Sequence, residues 1–465
     1  MSSVEDLLNR CRSAGQEHVL AHWDTLRPDQ QASLLAQLND LDFDLLATLQ
    51  GLVREVAPIP RAHSFVPPAV FPLRRDEAQQ VEAAAAAVEG ARLQAEGKVG
   101  FVLVAGGQGS RLGYDGPKGC FEVGPLSGRT LFGWHAARLL AGRARYGGGG
   151  PWYIMTSATN DAATRAFFEE QSFFGMQAED VFFFTQRMLP ALDLEGRILL
   201  SGPDSLFLAP NGHGGTLDAL ASSGALDHAA ACGVELFSYF QVDSPVARPT
   251  DPMFLGLHAR AEAQMSSKVV RKRSADEKVG VLGLADGVLG CIEYSDLPSD
   301  LRTATDSDGD LLFHAGNIAN HVINVDFVKQ LTANGLDLPW HLARKTMQVF
   351  DIDGCVRACD GVKFETFIFD ALGLSQNSVT LEVDRRTEFS PVKNAEGSDS
   401  PQSSRADLAD TFAEWVLAAG GELPSPGPAG SSIVEVDPRV AESQEEFLDR
   451  WPLQAEDLGG GHLYS

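Results

Sequence analysis

Six residues, Val99 to Val104 (VGFVLV), carry no polar side chain and run straight into a glycine-rich string, AGGQGSRLG. A run of this length without alternation reads as a strand buried on both faces. Such strands belong to sheets covered by helices on either side. Similar short runs recur at Trp152–Thr156, Val181–Phe184, Val234–Val242 and Val279–Leu284, with helical stretches such as 130–145 and 160–171 between them. This alternation predicts an α/β fold around a mixed, largely parallel sheet.

The flanks differ in character. Residues 1–57 show helical periodicity, with Leu7, Leu8 and Cys11 on one face, Leu34, Leu35 and Leu38 on another after Pro28, and Leu45, Leu46, Leu49 and Leu52 beyond. Residues 57–73 hold five prolines and read as an extended strap. A helix over 76–96 follows. After residue 384 the pattern is less regular, and 396–404 and 420–432 read as loops. The expected organisation is an N-terminal helical region (1–97), an α/β core (98–384) and a smaller C-terminal region (385–465).

Acidic residues outnumber basic ones by 63 to 37, giving a net charge of −26. This argues against a nucleic-acid or anionic-membrane partner, which wants a basic face. It leaves room for a phosphate ligand in a local cationic pocket. The six cysteines show no CxxC pair or zinc spacing, so a reducing cytoplasm is expected. The first residues lack the basic and apolar stretches of a signal peptide, and no run of about 18 apolar residues marks a membrane span.

The chemistry concentrates in residues 102–119, VLVAGGQGSRLGYDGPKG. Gly106, Gly107 and Gly109, which follow the candidate nucleotide-binding Ala105, let the backbone approach a ligand closely, so amides can meet phosphate oxygens. Arg111 offers a fork of donors and Lys118 a point charge. The string is not a Walker motif, because Pro117 precedes Lys118 and Gly119 follows it. Nor is it a dinucleotide fingerprint, because Leu112 stands where the third glycine belongs.

This string resembles the signature loop of the UDP-sugar pyrophosphorylases, most of all the eukaryotic-type UDP-N-acetylglucosamine pyrophosphorylases. The resemblance continues in order through WYIMTS (152–157), FTQRMLPAL (184–192), APNGHGG (209–215), VDSPVARPTDPMFLG (242–256), CIEYSDL (291–297), HAGNIANH (314–321), GVKFETFIFDAL (361–372) and LEVDRRTEFSPVKNA (381–395). It implies a Rossmann-like nucleotide-sugar transferase core. It also implies a reaction of UTP with a sugar 1-phosphate, N-acetylglucosamine 1-phosphate first, giving a UDP-sugar and pyrophosphate with Mg2+ as cofactor.

By that resemblance, Gln186 contacts uracil, Gly212 and Gly214 let the backbone flank the base with His213 between them in the nucleotide-binding string, and Asp243 holds Mg2+ against the nucleotide. Glu293, Tyr294 and Asn317 face the sugar, while Arg111, Lys118 and Lys393 serve the reacting phosphates. A plainer role stays open for several: Gln186 capping a turn, Asp243 at a helix N-cap or in a turn, Tyr294 in the core, Lys393 on an exposed loop. Two positions depart from the pattern. His213 stands where the hexosamine enzymes have Asn and resembles the UDP-glucose enzymes, and Ser244 follows Asp243 where relatives have Asn. Glucose 1-phosphate is therefore the competing substrate, and a non-catalytic nucleotide-sugar sensor is a third reading. The sensor reading is disfavoured because all three cations are present. Residues 306–310, DSDGD, fail the calcium-loop spacing and read as a solvated turn.

Overall fold

The structure, a computed structural model, describes residues 4–55, 62–294, 296–425, 432–458 and 461–465. The chain divides into two compact units. The smaller joins residues 1–61, 186–216 and 338–368; the larger holds 62–185, 217–337 and 369–465. These are not the three consecutive regions read from the sequence, because two excursions from the α/β portion return to share a core with the N-terminal helices.

In the smaller unit, helices Val4–Ser13, Pro28–Asn39 and Phe43–Arg54 bury Cys11, Leu34, Leu38, Leu46 and Leu49. Leu192, Leu200, Val362 and Phe364 share that core, carried by a five-stranded sheet. No periodicity in residues 1–57 names those distant partners.

The larger unit is built on the expected sheet. Val99–Val104 pairs in parallel with Leu236–Gln241 on one side and Trp152–Thr156 on the other, and Val181–Thr185 continues in parallel. Antiparallel strands Ala315–Asn324, Met265–Arg271 and Val281–Ala285 extend the sheet past Leu236–Gln241. Helices Glu77–Ala95, Leu131–Tyr146 and Pro252–Arg260 belong to the same unit. Of the proline-rich strap, 57–61 lie outside the described residues; beyond them Phe65–Val66 pairs with Ala285 and Leu284 at the sheet edge.

The segment read as a loop over 396–404 is in part helix. Pro401–Ala418 is an 18-residue helix capped by Ser400, whose side chain accepts from the Ser403 amide. A serine followed by proline is a helix start as well as a loop signal, and Leu408, Phe412 and Trp415 decide it by packing with Trp134 and Val246. Residues 306–310 form the expected turn, with Asp306 accepting from the amides of Asp308 and Asp310.

Two buried histidines give this unit an acid-sensitive core. Burial pushes His135 and His258 down from 6.5 to about 4. His135 Nε2 donates to the Val242 carbonyl, 3.1 Å away, and Nδ1 has no partner among the described residues. The unfolded chain binds protons before the folded one, so this stability is complete above about pH 6.5 and falls as the pH drops toward 4. We expect a loss of roughly 2 kcal/mol per histidine between about pH 6.5 and pH 5. Urea midpoints across that range should flatten in His135→Gln; an unchanged slope would contradict this.

Candidate active site

The Val99–Val104 strand gives way at Ala105 to a loop closed by its own backbone. Gln108 and Pro117 form a β-bridge. The Gly109 amide donates to the Gly116 carbonyl (2.9 Å), and the Lys118 amide donates to the Gly107 carbonyl (3.1 Å). Gly113 and Gly116, at φ +71° and +147°, make the turns this requires. A Cβ added at Gly107 would meet nothing within 4 Å, so the space over this backbone is open to a ligand.

Asn160, which the sequence reading passed over, locks the loop. It is buried, and its Nδ2 donates to the carbonyls of Ala105 (2.9 Å) and Gly107 (3.3 Å). Its only sequence signal was a polar residue just beyond a buried strand.

Asp243 lies two residues past Leu236–Gln241, the strand that pairs in parallel with Val99–Val104. Loop and carboxylate therefore share the C-terminal edge of neighbouring strands, where open α/β sheets place their ligands. Lys118 Nζ is 3.4 Å from Asp243 Oδ2, with the two side chains 17% and 13% exposed. The helix-cap reading of Asp243 fails: its only side-chain hydrogen bond among the described residues is to Lys118.

The segment carrying Lys393 is tied to the same point. The Val392 amide donates to the Asp243 carbonyl (2.8 Å), and the Ser390 amide donates to Ser244 Oγ (3.3 Å). Ser244 thus has a positioning role that explains a serine there. The Lys393 ammonium lies over the Phe389 ring at 5.3 Å. Arg111 is exposed on the short helical turn Ser110–Leu112.

The sugar-block residues gather around Gly280. The Asn317 amide donates to the Gly280 carbonyl (2.9 Å), and Asn317 Nδ2 reaches Cys291 Sγ at 3.8 Å. A Cβ at Gly280 would lie 2.6 Å from Cys291 Sγ and 3.5 Å from Glu293 Oε1. Burial, with Glu293 adding to it, pushes the Cys291 thiol up to about 12, so it stays protonated. Tyr294 is 39% exposed, which excludes the core role left open for it.

A second residue missed by sequence reading is Lys272, buried just after the strand Met265–Arg271. Its Nζ donates to the Ala275 carbonyl (3.3 Å), and burial holds its ammonium below the ordinary pKa. A Cβ at Gly316 would come within 3.7 Å of its Cγ, so this cation neighbours the Asn317 block. The signal was a lysine directly after a buried strand.

Gln186, Gly212 and His213 fall in the smaller unit. Gln186 is half-buried directly after the strand Val181–Thr185. Gly212 has φ +81°, and a Cβ there would sit 2.4 Å from the Thr366 carbonyl oxygen. Close backbone packing therefore accounts for this glycine. The Ile368 amide donates to His213 Nδ1 (3.1 Å), and the imidazole stacks on Phe367 at 5.3 Å. The neutral ring accordingly carries its proton on Nε2.

Among the described residues, no three His, Cys, Asp or Glu side chains converge to hold a metal. A single carboxylate at Asp243 still suits Mg2+, which takes one or two protein carboxylates and fills its shell with substrate phosphates and water.

A glycine-rich loop and a carboxylate at the ends of adjacent parallel strands, with Lys118 beside the carboxylate, mark a nucleotide-binding transferase of the α/β class. The family described as UTP–glucose-1-phosphate uridylyltransferase matches residues 64–410. Human UDP-N-acetylhexosamine pyrophosphorylase-like protein 1 is 36% identical over 480 residues, covering 96% of this chain and 94% of that protein. The UDP-N-acetylglucosamine pyrophosphorylase of Saccharomyces cerevisiae is 33% identical over 437 residues, covering 88% and 90%. The crystal structure of the Trypanosoma brucei uridine diphosphate N-acetylglucosamine pyrophosphorylase in complex with inhibitor superposes with a TM-score of 0.81 at 27% identity, covering 97% of this chain and 95% of that one. The chain belongs to the UDP-sugar pyrophosphorylase family, with the UDP-N-acetylhexosamine enzymes among its relatives.

Proposed function

We propose that this chain transfers the uridylyl group of UTP to N-acetylglucosamine 1-phosphate and releases pyrophosphate. The observation that carries the reading is the Lys118–Asp243 pair against the closed glycine loop, in a chain of this family. An oxygen of the sugar phosphate attacks the α-phosphorus; the α–β bridging bond breaks, and pyrophosphate leaves with its electron pair. The sugar phosphate is already ionised, with a second pKa of about 6, so no protein base is needed. The barrier is repulsion between two polyanions and the charge growing on the bridging oxygen.

Positioning and neutralisation are therefore the protein's task. The loop amides and Arg111 receive the triphosphate, and Lys118 neutralises charge at its reacting end. Lys393 and Lys272 offer charge to the incoming phosphate. Asn160 keeps the loop from rearranging during transfer. Asp243 would hold the Mg2+, which when bound supplies charge neutralisation to the nucleotide phosphates. Glu293, Tyr294 and Asn317 receive the sugar and its N-acetyl group.

Base choice is assigned to Gln186, whose amide can both donate to and accept from the uracil edge. We expect Gln186→Ala to narrow the preference for UTP over CTP by about 10-fold or more, since polar pairing discriminates strongly. An unchanged ratio of kcat/KM values would remove Gln186 from this role.

His213 favours a second reading, glucose 1-phosphate as substrate. Its engagement with Phe367 and Ile368 gives it a local packing role, which supports the N-acetylated sugar instead. Comparing kcat/KM for the two sugar phosphates tests the proposal. We expect N-acetylglucosamine 1-phosphate to lead by about 10-fold or more, or ~1.4 kcal/mol. Equal or better use of glucose 1-phosphate would overturn it.

Among the described residues, no helix is long and apolar enough to cross a membrane. All six cysteines are free, which supports a reducing cytoplasm as the working compartment.

A further inference from the structure

The larger unit contains a cavity of about 700 Å³ that none of the assigned nucleotide or sugar residues line. Its lining includes the rings of Tyr114, Phe121 and Phe174 and three arginines, Arg129, Arg405 and Arg439, with the Arg405 guanidinium over the Phe121 ring at 6.0 Å. The only carboxylate among the lining residues is Glu122. In a chain of net charge −26, three arginines against Glu122 and the Asp437 that two of them share leave these side chains with a slight positive excess.

The arginines are held there by the fold. Buried Asp437 pairs with both Arg129 and Arg439, and Arg405 donates to the Glu122 carbonyl at 2.7 Å. The arrangement is not self-satisfied: Arg129 Nη1 is buried with no hydrogen-bond partner among the described residues. The first turn of the helix Leu131–Tyr146 adds Thr130 and Gly133 to the lining, with its positive dipole end.

We propose that this cavity is a second ligand site, for a small anion with a flat apolar body, and that the phosphate loop senses its occupancy. A phosphate or carboxylate head would meet Arg129 and Arg405, and charge-assisted hydrogen bonds to arginine are among the strong ones. The apolar body would lie along Phe121 and Phe174. Tyr114 connects the site to the loop. It packs edge-to-face on Phe121 at 5.8 Å, and its ring blocks the space a Cβ would need at Gly109 (2.8 Å) and Gly116 (3.1 Å). Any ligand that shifts or immobilises Tyr114 acts on the backbone that holds Lys118.

The test uses 1-naphthyl phosphate as probe with the full chain, read by calorimetry and by hydrogen exchange of amides 109–120. Neither readout depends on uridylyl transfer, so failure of the proposed reaction would leave the test intact. We expect the probe to bind, neutral 1-naphthol not to bind, and exchange in the loop to slow. Arg405→Glu, outside the catalytic set, should weaken the probe by about 10-fold or more, while Arg405→Lys, which keeps the charge but not the fork, should bind the probe more tightly than Arg405→Glu does. Four results would each overturn the inference: no binding, equal binding to Arg405→Glu, displacement of the probe by UTP in simple competition, or loop amides that do not respond.

Discussion

Lys118→Ala should lose turnover by about 100-fold or more, at least ~2.7 kcal/mol of transition-state stabilisation, while the protein stays folded. The loop around Lys118 does not depend on its side chain: the Gln108–Pro117 bridge, the Lys118 amide to Gly107 and the Asn160 amide all hold backbone. The side chain supplies one charge next to Asp243, 3.4 Å away. Removing it leaves the triphosphate and the carboxylate facing each other with less to separate them. Steady-state kinetics with saturating UTP, together with an unchanged thermal midpoint, would show this. Wild-type turnover in a well-folded variant would sink the role.

The largest stability effect is expected at Lys268, which is 1% exposed and has no place in the chemistry. Its ammonium lies 2.7 Å from Asp251 Oδ2 and 2.5 Å from Glu388 Oε2. Burial raises the Asp251 carboxyl, but Lys268 and Arg248 more than offset this and leave it below its usual range. For Glu388 burial prevails, and the carboxyl sits above its usual value despite the same two cations. Lys268→Met would remove the cation in direct contact with two buried carboxylates and leave Arg248 to offset both, at a cost of about 3–5 kcal/mol. Asp251 caps the helix Pro252–Arg260 and Glu388 closes the helix before Ser390, so the strain falls on the segments flanking Asp243 and Lys393. An unfolding free energy from urea titration within about 1 kcal/mol of wild type would show the cluster to be incidental.

The two effects differ in how far they were visible beforehand. Lys118 stands in a string whose glycines, proline and cations are local, so its chemistry could be read before any fold was known. Lys268 looks like one more residue in an apolar strand, MSSKVVR. Its importance arises from partners that come from another helix cap and from a helix more than a hundred residues away. Asn160, Lys272 and the Ser244–Ser390 contact are of the same kind.

The sequence by itself determined the alternation of buried strands and helices, the glycine loop, and the block order that marks the family. These features rest on periodicity, on backbone freedom at glycine and on residue types at short spacing, all of which are local. Tertiary structure alone decided that the helices within residues 4–55 share a core with residues of 186–216 and 338–368, and that Gly212 is required by the Thr366 backbone. It also decided that the Pro401–Ala418 helix is completed by Trp134, and that three arginines far apart in the chain line one cavity. Packing and burial couple side chains without regard to their separation along the chain, so such pairings leave no periodic trace in a single sequence.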